Sequence, residues 1–309
     1  MDRRKRLLVN GYEEATHRIL EDAASKSGAR VFPKVRMADA LDIERSGITP
    51  QQYSYALKAH FDFLVTTADY TPQFAVEFDG PQHATDSAVI ARDALKNSLC
   101  EKLGLPLLRI GAEYLRQVGR FRLIGWLTEV WFLYVAFCEA QQRGELPEDE
   151  IFHYSFFLGL GYIEDGRIIE IDTSDASATL SKAETLKQAK VRVVTTRPYD
   201  PFIEHRAYIQ HLHKKGLCSR PVPECIVAWH PEGHYVAAAF VELPDGRTVI
   251  GNAQCNFSSF PAVPPLELCE ELAVLDAGEK LRKYLKGEYR ASSHEEVSAW
   301  RGRLSHWRR

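Results

Sequence analysis

Two apolar runs in the first third of the chain carry carboxylates where a strand would bury them. In Phe61-Asp62-Phe63-Leu64-Val65 an acid stands between two aromatic residues, and in Phe74-Ala75-Val76-Glu77-Phe78-Asp79 two acids alternate with apolar neighbours. Side chains along a strand point to alternate faces, so Phe74, Val76 and Phe78 take one face while Glu77 and Asp79 share the other. Like charges on one face of an apolar strand are costly unless a counter-charge meets them. A divalent cation resolves that conflict, and carboxylate oxygens are the ligands that hard cations such as Mg²⁺ or Mn²⁺ prefer. Asp62 precedes Glu77 by fifteen positions. The Asp69-Tyr70-Thr71-Pro72 turn between them is expected to bring the two side by side.

The residues around these runs set out a fold. Tyr12, Thr16, Ile19, Leu20 and Ala23 share one helical face, which predicts a helix over 12–24 stopped by Gly28. Glu13 borders that face and Glu14 falls outside it, so Glu13 is the candidate for a fourth carboxylate. The competing reading is an acid that merely complements the helix dipole. Arg30–Arg36 reads as a strand whose Pro33 marks an edge or a bulge. Residues 39–59 read as a polar linker. After the two acidic strands, Ser87–Leu103 is a helix closed by Gly104, and Pro106–Ile110 is a fourth strand. On the second helix Val89, Leu95, Leu99 and Leu103 form the inward stripe, and the wheel places Arg92 and Lys96 on it as well. Near a carboxylate cluster these two cations hold a phosphate, stabilise developing negative charge, or neutralise the acids. His83 follows the third strand and is a candidate to orient or deprotonate water.

The chain has 309 residues, 45% of them apolar, and a formal charge of −3. That is enough for two domains, divided here as 1–145 and 146–309, and it leaves no global basic field for coating nucleic acid. The first domain ends in a long helical region, roughly 114–143, bounded by Gly144-Glu145-Leu146-Pro147-Glu148. Its apolar stretch Leu123–Cys138 is short for a membrane span and contains Glu129, so a buried helix is expected and no membrane partner. Six scattered cysteines without a CxxC pair fit reduced thiols in the cytoplasm. The second half alternates α and β pieces, with strands near 225–229, 235–243 and 247–250, a Pro244-Asp245-Gly246 hairpin turn and a helix over 266–286. Its histidines and cysteines, among them His211, His213, Cys218, Cys225, His230 and His234, match no zinc spacing. The basic, aromatic tail from Trp300 to Arg309 reads as a solvated end rather than a nucleic-acid contact. A homo-oligomer or a protein partner acting through this second domain stays open.

Taken in order, the string Phe61–Val65, then Ala75-Val76-Glu77-Phe78-Asp79-Gly80-Pro81-Gln82-His83, then Arg92-Asp93 and Leu103–Ile110 resembles the PD-(D/E)XK nuclease superfamily. The similarity is to the branch related to very-short-patch-repair endonucleases and to uncharacterised domains with an E-x-D-G-x-x-H signature. It covers about the first third of the chain. The resemblance implies a restriction-endonuclease-like αβββαβ core with a mixed central sheet, and with the long helix and the α+β second domain read from the residues the expected fold class is α/β. It also implies metal-dependent phosphodiester hydrolysis, with Asp62 as a metal ligand, Glu77 as the second acidic position and His83 activating water. Asp79 stands where the superfamily carries its third-strand lysine, a charge that Lys96 could supply from the helix. The expected activity is therefore a Mg²⁺- or Mn²⁺-dependent endonuclease acting on DNA, with RNA open because nothing here reads a 2′-hydroxyl. Asp62, Glu77, Asp79 and Glu13 are the candidate ligands. His83 and Lys96 are the candidate catalytic partners, and Arg92 with Lys96 the candidate phosphate contacts. The second reading is a catalytically inactive module that keeps the fold to bind nucleic acid or a protein.

Overall fold

In the computed structural model the described residues are 8, 10–79, 87–115, 117–118, 121–154, 161–164, 167–170, 202–231, 233–256 and 260–307. The chain forms two compact units, 1–150 with 258–262, and 151–257 with 263–309. The first is mixed α/β. Helix α1 (Gly11–Ser25) is followed by β1 (Arg30–Arg36), two short helices α2 (Met37–Ala40) and α3 (Pro50–Ala56), then β2 (His60–Thr66) and β3 (Pro72–Phe78). Next come α4 (Ser87–Lys102), β4 (Leu107–Ile110), a 3₁₀ turn, a small ribbon of β5 (Gln117–Val118) and β6 (Phe121–Arg122), and α5 (Leu123–Gln142). The main sheet runs β1-β2-β3-β4, antiparallel except for the parallel β3–β4 pair. A parallel pair requires a crossover, and α4 supplies it.

Each face of that sheet has its own packing. On one side Phe61, Leu64, Ala75 and Leu107 join Leu99 and Cys100 of α4 with Met37, Ile43 and Ala56. On the other, Phe63 meets His17 of α1, and Phe74 meets Trp131 of α5 and Phe260. Helix α5 is long and apolar enough to cross a membrane by length and composition. Its first half is core instead: Leu123–Thr128, Val130 and Trp131 are all buried, and Gly125 brings α5 onto α1 with its Cβ position 3.3 Å from Ile19 Cγ2. Glu129, at the middle of the run, receives Lys26 Nζ at 2.6 Å.

Two expectations are corrected here. The stretch 39–59 is not a bare linker. Thr49 and Gln52 form a reciprocal capping box with Pro50 at the helix start, and α3 buries Ala56. The long helix begins only at Leu123, because the 3₁₀ turn Ala112–Leu115 and the paired strands Gln117–Val118 and Phe121–Arg122 come before it.

The second unit holds a ribbon of β7 (Gly161–Glu164) and β8 (Arg167–Glu170), then α6 (Ile203–Lys214). A three-stranded antiparallel meander follows, β9 (Glu224–His230), β10 (His234–Glu242) and β11 (Thr248–Asn256), with helices α7 (Pro265–Leu285) and α8 (His294–Trp307). Gly246 turns the β10–β11 hairpin at a φ of 80°. The stretch Trp300–Trp307 is not a solvated end but part of α8: Val297 and Leu304 are buried against Ala228, Val236, Ala238, Phe240 and Ile250, with Trp300 and Trp307 packed beside them. His213 Nδ1 lies 2.9 Å from the Cys218 carbonyl oxygen, so this pair meets through backbone and not through sulfur.

On the opposite face α7 approaches β11 so closely that a Cβ on Gly251 would lie 2.2 Å from both Ala273 O and Ala277 N. Backbone on both sides cannot yield cheaply. Gly251→Ala is expected to destabilise the second unit by about 3 kcal/mol or more. Urea unfolding measures this, and a loss of less than about 0.5 kcal/mol, the range of an ordinary surface change, would contradict it.

Candidate functional site

The β2–β3 ladder pairs Val65 with Phe74, Leu64 with Ala75 and Phe63 with Val76, and it stops there. At the next rung, carboxylates take over from backbone. Glu77 Oε1 accepts the Asp62 amide at 3.2 Å, and Asp62 Oδ2 accepts the Phe78 amide at 2.9 Å. Each acid thus satisfies a main-chain donor next to the other acid, and the pair holds the two strands where they part. The site lies at the carboxyl ends of β3 and β4, where Glu77 pairs with Arg109 and Asp79 N donates to Ile110 O at 2.8 Å.

Strand β3 alternates as its sequence pattern requires. Phe74 meets Trp131 and Phe78 stacks on Tyr12, whereas Glu77 and Asp79 meet cations beside α4. Lys96 Nζ donates to Glu77 Oε2 at 2.6 Å and to the His60 carbonyl at 2.9 Å, with only 9% of its side chain exposed. Asp79 is drawn off to Arg109, whose Nη1 lies 2.7 Å from Asp79 Oδ1, whose Nη2 lies 3.1 Å from Asp93 Oδ1, and whose Nε donates to Asn97 Oδ1 at 2.9 Å.

From the other direction α1 presents Glu13. The Asn10 side chain caps the helix by accepting the Glu13 amide at 2.9 Å, and the Glu13 carboxylate is buried toward the sheet. Lys34 of β1 bridges it to Asp62, with Nζ 2.9 Å from Glu13 Oε1 and 2.6 Å from Asp62 Oδ1. Lys34 sits in the left-handed region at a φ of 55°. A non-glycine residue held there costs about 1–2 kcal/mol, which its two ion pairs offset. It lies opposite Asp62, between the pairs Pro33 with Phe63 and Val35 with Phe61.

The structure therefore brings Glu13, Asp62, Glu77 and Lys96 together, and it adds Lys34. Asp79 belongs to a neighbouring cluster around Arg109. Arg92 is exposed, not inward as the helical wheel suggested, and its carbonyl accepts the Tyr55 hydroxyl at 3.2 Å. His83 lies outside the described residues. Among the described residues, no three or more His, Cys, Asp or Glu side chains stand close enough to hold a metal as a group. The acids are spaced by ammonium and guanidinium partners, and Asp62 with Glu77, each on a backbone amide beside the other, is the pair whose oxygens a hard cation could share. The chemistry of that donor set fits such an ion.

Burial dominates the electrostatics. It pushes the Glu77 carboxyl up to about 7 despite Lys96, with the nearby Asp62 charge adding to the rise. Burial, with the charges of Glu77 and Asp93, also pushes the Tyr55 hydroxyl up to about 12. For Arg109 the surrounding carboxylates, led by Asp79, outweigh burial and keep the guanidinium charged.

Lys34 and Arg109 were not among the residues singled out from the sequence. Arg109 carried a usable signal, a lone charge inside the buried run Leu107–Ile110, the same signature that marked Asp62. Lys34 carried none, since its role follows from a backbone angle that lysine does not advertise.

The raised Glu77 gives a pH prediction. Unfolded, Glu77 ionises near its ordinary 4.5, and folded near 7, so between these values the native state keeps a proton that the unfolded state has released. Stability then falls as pH climbs through that window. In metal-free buffer, Glu77→Gln should lack this loss, and the stability difference should move against wild type by on the order of 3 kcal/mol across the window. Parallel stability curves for the two proteins in urea unfolding would show that burial does not control Glu77.

A family model described as protein of unknown function (DUF2726) matches residues 5–122. That stretch runs from the start of the first unit to the end of β6 and takes in every residue of this site. No curated protein and no solved structure is similar to the chain by the same kind of comparison.

Proposed function

We propose that the first unit is a restriction-endonuclease-like nuclease centre that hydrolyses DNA phosphodiester bonds with a bound Mg²⁺ or Mn²⁺. The observation that carries this reading is the reciprocal arrangement of Asp62 and Glu77 at the parting of β2 and β3. Two acids pinned where the strands part, flanked by Lys96 and with Glu13 across Lys34, form a carboxylate cluster that already draws positive charge. The order helix, strand, two short helices, strand, strand, helix, strand contains the αβββαβ succession and supports the fold assignment.

In this reading Asp62 and Glu77 would hold the ion, while Glu13 of α1 faces Asp62 across Lys34. When bound, the ion lowers the pKa of water and stabilises charge developing on the phosphate. The chain's own residues do the remaining work. Lys96, anchored by donating to the His60 carbonyl, donates one hydrogen bond to Glu77 Oε2 and leaves Oε1 on the Asp62 amide. The exposed Arg92 on α4 offers a guanidinium to a phosphate approaching from solvent. Arg109 ties Asp79 to α4 and sets the height of the helix above the sheet. His83 is proposed as the group that takes the proton from water. The six scattered cysteines, without a CxxC pair, support a reducing, cytoplasmic setting.

One observation favours a second reading. Asp79, standing where the superfamily has a lysine, is engaged by Arg109 as a structural partner, so a binding module without catalysis would account for it equally well.

Incubating the purified chain with supercoiled plasmid and Mg²⁺ or Mn²⁺ separates the two. Wild type is expected to nick, and Asp62→Ala and Glu77→Ala to lose at least about 100-fold of the rate, while Arg92→Ala raises KM more than it lowers kcat. Equal nicking by wild type, Asp62→Ala and Glu77→Ala would remove the nuclease reading. DNA retention without any cleavage would favour the second one.

A further inference from the structure

We propose that the space between α1, α5 and the β5–β6 ribbon is a binding site for a small organic anion with a flat apolar body, independent of the metal-centre reading. A cavity of about 350 Å³ opens there, which is the size of a small-molecule site. Its long walls are two helices whose contacts fix their direction. Gly125 of α5 brings its Cβ position 3.3 Å from Ile19 Cγ2 and 3.9 Å from Ala23 Cβ of α1, and further along both helices Lys26 Nζ meets Glu129 Oε1 at 2.6 Å. Helices α1 and α5 therefore run side by side in the same direction, and the cavity between them has two distinct ends.

One end is cationic. Arg18 precedes Ile19 on α1 and Arg122 stands at the start of α5, and both line the cavity from the exposed side. Arg122 donates from Nη1 to the Leu115 carbonyl at 3.2 Å, which leaves the rest of its guanidinium fork to a ligand. Among the described residues no hydrogen bond or ion pair engages Arg18. Two guanidiniums at one end repel until an anion joins them. The middle is apolar, since Ile19, Ala23, Gly125 and Trp126 are buried and form the floor. At the far end Lys26 and Glu129 neutralise each other, and Asp22, one turn before Lys26, adds an exposed carboxylate. The guanidiniums thus fit a phosphate or carboxylate, the floor fits a flat ring, and Asp22 fits an amine or hydroxyl donor. From Ile19 to Lys26 the helix rises about 10 Å, room for one ring system carrying an anionic group on one side and a donor on the other.

The test is calorimetric titration of the full chain, in buffer containing a metal chelator, with adenosine monophosphate, para-aminobenzoate, adenosine and inorganic phosphate. Adenosine monophosphate or para-aminobenzoate is expected to bind with a Kd below about 1 mM, and whichever is tighter tells whether the anion is a phosphate or a carboxylate. Adenosine and inorganic phosphate, each lacking one half of the ligand, should bind at least about tenfold more weakly. Arg18→Glu and Arg122→Gln should each weaken binding of the tighter ligand by about tenfold or more, whereas Asp62→Asn should leave it unchanged. Ala23→Leu, which fills the floor, should abolish it. If Ala23→Leu does not fold, the exposed Arg18→Glu decides the matter. Binding of neither organic anion, binding unaffected by the two arginine variants, or inorganic phosphate bound as tightly as the organic anions overturns the site. Binding lost in Asp62→Asn but kept in Arg18→Glu places the anion at the carboxylate cluster and overturns it as well.

Discussion

The arrangement of the first unit depends on one failure of regular structure, the point where β2 and β3 stop sharing backbone hydrogen bonds. A buried amide left without an acceptor costs about 1–3 kcal/mol, so strands can part inside a protein only if something replaces the missing rung. Asp62 and Glu77 are that replacement. Their structural duty also fixes their direction, since an acid held by a main-chain amide cannot turn to solvent. The carboxylates then require positive charge, and the neighbouring elements supply it from three sides: Lys34 from β1, Lys96 from α4 and Arg109 from β4.

This order of causes explains why the cations are so unlike one another. Lys96 is sealed into the α4 face and functions as part of the core, where losing it would strand Glu77 among Phe61 and Leu99. Arg109 is a bracket that gathers Asp79, Asp93 and Asn97 and so joins the crossover helix to the sheet it crosses. Lys34 alone combines strain, partial exposure and two acidic partners. Of the three it is the one whose loss would leave the fold least altered and the site most altered.

Much of this was legible in the residues because it rests on alternation. The runs around Asp62 and Glu77 could only be strands, their acids could only share a face, and the flanking helices followed from spacing and from stops such as Gly104. What the sequence concealed was where charges settle once the elements pack. The wheel placed Arg92 inward because it counts angle and not depth, yet a long side chain near the start of α4 reaches solvent. Asp79 looked equivalent to Glu77 by parity, but Arg109 on the adjacent strand claimed it, and a parallel pairing cannot be read from either strand alone. The short helix α3 is marked by the capping pattern Thr49-Pro50-Gln51-Gln52, a local signal that the polar composition of 39–59 masks. In the second unit the tail composition pointed outward, while the spacing of Val297, Trp300, Leu304 and Trp307 is that of a packed helical face.

Strand β1 carries Pro33, which has no amide hydrogen to give, and Lys34, whose left-handed backbone turns the chain out of the extended path. It stands at one end of the four-stranded order. A strand in that position is ordinarily a template on which another chain can add a strand, and proteins suffer aggregation where such a template is long and flat. Here the two residues that shape the carboxylate cluster also spoil the template, so the irregularity that turns Lys34 toward Glu13 and Asp62 leaves the outer edge poorly suited to an added strand.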